Sequence, residues 1–212
     1  MSRSGARYTG TLGLVVLVVV LVIVLLARSS GVSGIAPGRR LPPFAAPLAA
    51  GSLRGDADVA DRADEGASGR VPACAERGPQ ILNVCELYER GPVVLAMFVD
   101  AGSCANVLAS MQRLVAVFPG VRFAAVAIKG ERAGVRRLIR RLGLTLPVAL
   151  DPDGAVGVLY DVFSCPQVDF AYPGGVVQSK PLLGTPSAAT LGARVRELVA
   201  ASRARRQAGA AR

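Results

Sequence analysis

Two cysteines sit where apolar strands end. Cys104 follows the run Val93-Val-Leu-Ala-Met-Phe-Val99 after a short polar turn, and Cys165 directly precedes Pro166 at the start of another apolar run. Thiols at strand ends point to thiol–disulfide chemistry, in which a thiolate attacks a disulfide and a second sulfur resolves the intermediate. The bond before a proline is the one peptide bond that adopts cis at low cost, so Cys165-Pro166 holds its thiol at a defined place. Two further cysteines, Cys74 and Cys85, flank Ala75 to Val84. The simplest pairing joins them in a structural disulfide. A bridge over so short a loop contributes roughly 3 kcal/mol on the chain-entropy account. Four cysteines allow three pairings, and the other two stay open.

The composition excludes much else. The chain has no histidine, which removes Ser-His-Asp and Cys-His catalysis and histidine metal sites. The four cysteines lack the close C-x₂₋₄-C spacing of structural zinc, so no metal is expected, and nothing calls for a cofactor. Asp151 and Asp153 flank a turn without further ligands for calcium. The net charge of +10 rests on 25 Lys and Arg against 15 Asp and Glu. The basic residues are not interleaved with aromatics, so no nucleic acid is expected as a partner.

The elements that position the thiols follow from periodicity. Val93 to Val99 and Val121 to Ile128 are continuous apolar runs, as strands buried on both faces are. Val107, Met111, Leu114, Val115 and Phe118 recur at helical spacing, as do Val135, Leu138, Ile139 and Leu142. Leu146 to Leu150 reads as a short strand, and Asp151-Pro-Asp-Gly154 turns into a short helix. Val168–Tyr172 and Val176–Ser179 read as a hairpin around Pro173-Gly-Gly175, with Asp169 facing solvent. Thr190 to Val199 gives a last helix. Strand–helix–strand alternation followed by a hairpin predicts an α/β fold with a central mixed sheet flanked by helices.

Ahead of this domain, 1–10 is a short tail. Residues 11–27, with the uncharged run Leu12 to Ala27, are long and apolar enough for one transmembrane helix. The run ends in Leu-Leu-Ala-Arg-Ser-Ser, a poor cleavage site, which favours an uncleaved anchor. Residues 28–70 are rich in Gly, Ala, Ser, Pro, Asp and Arg and predict a flexible linker. The folded domain is expected over 71–201, with a basic tail at 202–212. Arg3 and Arg7 before the apolar run against Arg28, Arg39 and Arg40 after it mildly oppose an outside domain. The even number of cysteines favours an oxidising compartment, with the domain outside the cytoplasm at the cell membrane.

The element order and its punctuation resemble the thioredoxin fold, in its membrane-anchored TlpA-like/AhpC-TSA-like branch, over roughly Val71 to Val199. Gly91-Pro-Val-Val-Leu-Ala-Met-Phe98 resembles the strand before the active site, and Pro119-Gly-Val-Arg-Phe-Ala-Ala-Val126 the next strand. Leu150-Asp-Pro-Asp-Gly-Ala-Val156 and Leu159-Tyr-Asp-Val162 resemble the segment before the cis-proline. Cys165-Pro166 falls at the cis-proline position, and Phe170-Ala-Tyr-Pro-Gly-Gly175 at the strand and turn beyond. The family's tryptophan and C-x-x-C are missing: Phe98-Val-Asp-Ala-Gly-Ser-Cys104-Ala-Asn-Val107 carries one cysteine. The peroxiredoxin-like T-x-x-C is not matched either, because Ala101 stands in place of the threonine.

In that family the residue before the cis-proline faces the active-site turn. The resemblance therefore implies that Cys104 and Cys165 form a non-contiguous redox pair, with Cys104 attacking and Cys165 resolving. A helix N-terminus after Ser103 would lower the pKa of Cys104, and Asp100 beside the turn is a candidate proton acceptor. The expected partners are protein or small-molecule thiols and disulfides. Three functions compete: a thiol–disulfide oxidoreductase, a non-enzymatic binding module, and a thiol peroxidase using Cys104. A static structural disulfide is the plainest account of the same two cysteines.

Overall fold

The computed structural model describes residues 16–22, 34–65 and 69–210. The chain divides into two units, 1–32 and 33–212. Of the first, only 16–22 is described, as helix. The rest of the expected span 11–27 lies outside the described residues, as do the tail 1–10 and Arg212. Among the described residues no helix is long and apolar enough to cross a membrane.

The second unit is built on a five-stranded mixed sheet. Strand β3 (Val93–Phe98) lies at its centre, pairing in parallel with β4 (Arg122–Ile128), which pairs in parallel with β5 (Val148–Asp151). On its other side β3 pairs antiparallel with β6 (Gln167–Ala171), followed by the short edge β7 (Leu182–Leu183). The order is β5-β4-β3-β6-β7. A separate ribbon joins β1 (Ala45–Pro47) to β2 (Ile81–Asn83).

All six residues of β3 are buried, because helices cover both faces of the sheet. Val94, Ala96 and Phe98 meet helices α2 (Asn106–Val117), α3 (Arg132–Leu142) and α5 (Ala188–Ala210). Val93, Leu95 and Met97 meet helix α1 (Val84–Arg90), the short helix α4 (Ala155–Leu159) and the segment around Leu41 to Ala57. Gly143 ends α3 in the left-handed region at φ 59°, the conformation glycine adopts without steric cost.

The linker expected over 28–70 is corrected over 34–65. Leu41, Phe44, Ala45, Ala46, Ala49, Ala57 and Ala60 are buried. Phe44 meets the Tyr160 ring edge-on at 5.7 Å, and the Tyr160 hydroxyl donates to the Pro42 carbonyl at 2.8 Å. The segment packs through alanines, which lose no side-chain entropy on burial, so few large apolar residues suffice. Its backbone is tied down by charge. The Arg132 guanidinium, at the start of α3, donates to the carbonyls of Leu48, Ala49, Gly51 and Leu53. Arg136 adds Ala49 and Gly51. Arg132→Ala is therefore expected to cost about 2–3 kcal/mol, since bonds to a charged donor are the strong ones. Urea midpoints measure this, and proteolysis should nick 48–55 first.

Two other boundaries move. The second hairpin strand at Val176–Ser179 is reduced to single bridges, Arg40 with Val176 and Ala171 with Val177; the regular partner of β6 is β7. The expected basic tail is helical through Ala210, and Ser202 within it is buried.

Candidate redox site

Strand β3 delivers its C-terminal end, at Phe98 and Val99, to the site. The chain then turns through 100–105 and enters α2 at Asn106. Strand β6 runs antiparallel beside β3, with Gln167 opposite Met97. The residues just before β6 therefore lie beside the turn. The Cys165-Pro166 bond is cis. These two connections bring Cys104 and Cys165 together as a disulfide, with Cα atoms 5.4 Å apart and a sequence separation of 61.

The backbone N–H of Val99 faces both sulfurs, 3.3 Å from Cys104 Sγ and 3.2 Å from Cys165 Sγ. Opening the bridge leaves a thiolate on one sulfur, and an N–H already aimed at both stabilises either product. Cys104 sits immediately ahead of α2, where unpaired helix N–H groups favour negative charge. No side chain caps that helix, so Ser103 does not take the capping role its type allows.

The two sulfurs differ in access. Cys104 is 6% exposed, whereas Cys165 is half-buried and lines a groove of about 460 Å³. Val158, Val162 and Phe163 form an apolar side of that groove, with Val158 83% and Phe163 87% exposed. Lys129 and Asp161 also line it. Both adopt positive φ, 53° and 48°, a strained backbone state that non-glycine residues concentrate at functional sites.

Cys74 and Cys85 form the second disulfide, with Cα atoms 5.5 Å apart. Asn83 locks it in place. Its side-chain oxygen accepts from the Cys85 and Glu86 N–H groups, capping α1, while its amide donates to the Ala73 and Glu76 carbonyls at 2.8 Å. Cys85 belongs to the core on one face of the sheet and Cys104 to the core on the other.

The carboxylates are redistributed. Asp100 is exposed, and its carboxylate rests on α3 at Gly134, where an added methyl would come within 2.5 Å of Oδ2. Asp151 is fully buried and accepts from the Val156 and Gly157 N–H groups at the start of α4. Burial raises its pKa, against those two bonds. Asp169, expected at solvent, is 1% exposed. Because β6 is covered on both faces, alternation along it does not mark a wet side. Gln167 Nε2 donates to Asp169 Oδ2 at 3.1 Å and to the Tyr160 carbonyl at 3.2 Å. Burial pushes the Asp169 carboxyl up to about 7. The Tyr160 hydroxyl is raised well above its ordinary value by burial and by the Asp169 charge.

Sequence reasoning did not single out Val99, Val158 or Phe163. Val99 acts through its backbone, which every residue shares, and the other two carry side chains of a type that is usually buried.

No protein-family model matches the sequence, and no curated protein sequence does. Solved structures do match. A candidate thiol:disulfide interchange protein DsbE from Chlorobium tepidum superposes with a TM-score of 0.58 at 16% identity, covering 79% of this chain and 98% of that one. A thiol-disulfide oxidoreductase from Bacteroides fragilis gives 0.54 at 14% identity, over 76% and 99%. A secreted Mycobacterium tuberculosis disulfide oxidoreductase homologous to E. coli DsbE gives 0.50 at 20% identity, over 56% and 89%. The chain therefore has the thioredoxin-like fold, and these three structural neighbours are described as thiol–disulfide interchange proteins or oxidoreductases.

Proposed function

We propose that the protein is a thiol–disulfide oxidoreductase that works through Cys104 and Cys165, held at the cell membrane by Leu12 to Ala27 with its domain outside the cytoplasm. The redox reading rests on one observation above the rest: a disulfide joins the turn before α2 to the cis-proline loop and opens onto a groove. The location rests on the apolar run and on cysteine usage alone.

Exposure favours Cys165 as the sulfur that meets the partner, the reverse of the order expected from sequence. A substrate thiolate attacks Cys165 Sγ, the intramolecular S–S bond breaks, and its electron pair leaves on Cys104 as a thiolate. The Val99 N–H and the helix start favour that leaving group. A second substrate thiolate then attacks the mixed disulfide and expels Cys165, so the substrate is oxidised and the protein reduced by two electrons. The same steps run backward reduce a substrate disulfide.

A static bridge is the competing reading, favoured by the burial of Cys104. Titration of the full chain in graded dithiol buffers separates the two. A redox protein gives a reversible two-electron transition at Cys104–Cys165 while folded. A bridge that opens only on unfolding would sink the proposal. The groove carries its own expectation: Val158→Ser with Phe163→Ser should lower kcat/KM about tenfold for a reduced polypeptide and leave a small dithiol unchanged.

A further inference from the structure

The buried stripe of α5 runs Leu191, Val195, Leu198 and Ser202, at helical spacing. The stripe changes chemistry at its last member. Ser202 is 2% exposed, and its hydroxyl has no hydrogen-bond partner. A helical serine can bond back to the carbonyl four residues earlier; where it does not, a buried hydroxyl is satisfied by water or by a ligand.

Ser202 lines a cavity of about 280 Å³ between α5 and the turn Phe118–Val121, at the start of β3 and away from the disulfide at its end. Arg203 and Arg206, one and four residues on, line it too. A smaller neighbouring cavity of about 140 Å³ shares Ser202 and Arg206 and adds Arg205, whose guanidinium stands 4.5 Å over the Tyr172 ring. The ion pairs among the described residues are Arg77–Glu89, Arg90–Glu86 and Arg194–Glu197. No carboxylate is therefore paired with Arg203, Arg205 or Arg206 there. The larger cavity is lined by two arginines and a serine, against an apolar wall of Val199, Phe118 and Val117.

We propose that this cavity is a binding site for a phosphate group, held by Arg203 and Arg206 with Ser202 donating. Guanidinium forks match phosphate oxygens in pairs, and a phosphate offers acceptors to all three donors at once. The group is carried by a lipid headgroup or arrives as a free phosphate. The site is independent of the redox reading.

The test uses the ¹⁵N-labelled full chain in neutral detergent micelles. Inorganic phosphate is titrated at constant ionic strength against chloride, and in separate arms the micelles carry phosphatidylglycerol or phosphatidylcholine. A saturable shift of the Ser202 and Gly120 amides is expected, weakened about tenfold by Arg206→Ala. Ser202→Ala should weaken binding while leaving stability unchanged or higher, because it removes an unpaired buried hydroxyl. Saturation by inorganic phosphate alone assigns a free phosphate; saturation by phosphatidylglycerol but not phosphatidylcholine assigns a headgroup. Shifts that stay linear in all arms, that chloride reproduces, or that persist in Arg206→Ala overturn the site.

Discussion

Reduced Cys104→Ser protein is expected to capture substrates as a mixed disulfide on Cys165 and to hold them, while Cys165→Ser protein captures them at least about tenfold more slowly. Both variants should lose catalytic turnover to background, because exchange needs an attacking and a resolving sulfur. The asymmetry follows from access: Cys165 lines the groove, whereas Cys104 is 6% exposed. Reactivity tracks thiolate fraction and access together. The Val99 N–H serves both sulfurs nearly equally, so the comparison sets the access of Cys165 against the helix start that favours the Cys104 thiolate, and access is expected to win. Each variant loses the same bridge, which closes 61 residues and contributes roughly 4 kcal/mol on the chain-entropy account. Comparing the two singles therefore cancels the stability loss. Trapping with a scrambled, disulfide-bearing polypeptide, one of whose sulfurs leaves as a thiolate, and mass mapping of the adduct reads the result. Faster trapping in Cys165→Ser would restore the order expected from sequence. Full turnover in either single variant would remove the pair from the chemistry.

What was legible in the sequence was the part written in large apolar residues and in proline. Val93 to Phe98 reads as a central strand because only a strand covered on both faces tolerates six consecutive apolar residues. Cys165-Pro166 marks a rigid thiol because proline alone makes that bond special. The segment 34–65 escaped because it is anchored by alanines and by carbonyls that Arg132 collects from another element; composition does not encode a partner 80 residues away. The same limit hid Val99. Its N–H is chemically ordinary and gains a role only where β3 ends between two sulfurs. Val158 and Phe163 show the converse. They have core-type side chains and stand in solvent beside Cys165, where a sequence-based reading assigns them to packing.

Asp169 escaped because an isolated carboxylate on a strand is ordinarily a surface residue, and its burial sets the second large expectation. The folded protein holds this carboxyl at about 7, against about 3.9 in an unfolded chain. The folded pKa is the higher one, so between these values the unfolded state gives up the proton and the folded state keeps it. Folding stability is then full below about pH 4, falls as pH rises, and levels off above about pH 7. At 1.36 kcal/mol per unit the loss is on the order of 4 kcal/mol. Asp169→Asn removes the titration and keeps a polar group facing Gln167, whose Oε1 is buried without a partner. Its stability should fall less steeply over that range, the remaining slope coming from carboxyls such as Asp151 whose pKa burial also raises, and it should exceed wild type above pH 7 by a similar amount. Urea unfolding of oxidised full-length protein and of the variant at pH 4, 5.5, 7 and 8.5 measures both curves. A wild-type curve that does not fall between pH 4 and 7, or one that Asp169→Asn leaves unchanged, would show that this carboxyl does not set the slope. The proton matters for the redox site because β6 runs directly from Cys165-Pro166 through Gln167 to Asp169. Ionisation in the folded state places an unpaired charge two residues along the strand from Gln167, which sits opposite Met97 near the end of β3. The redox midpoint of wild type should therefore depart above pH 7 from the pH course of Asp169→Asn, and coincident courses would confine Asp169 to stability.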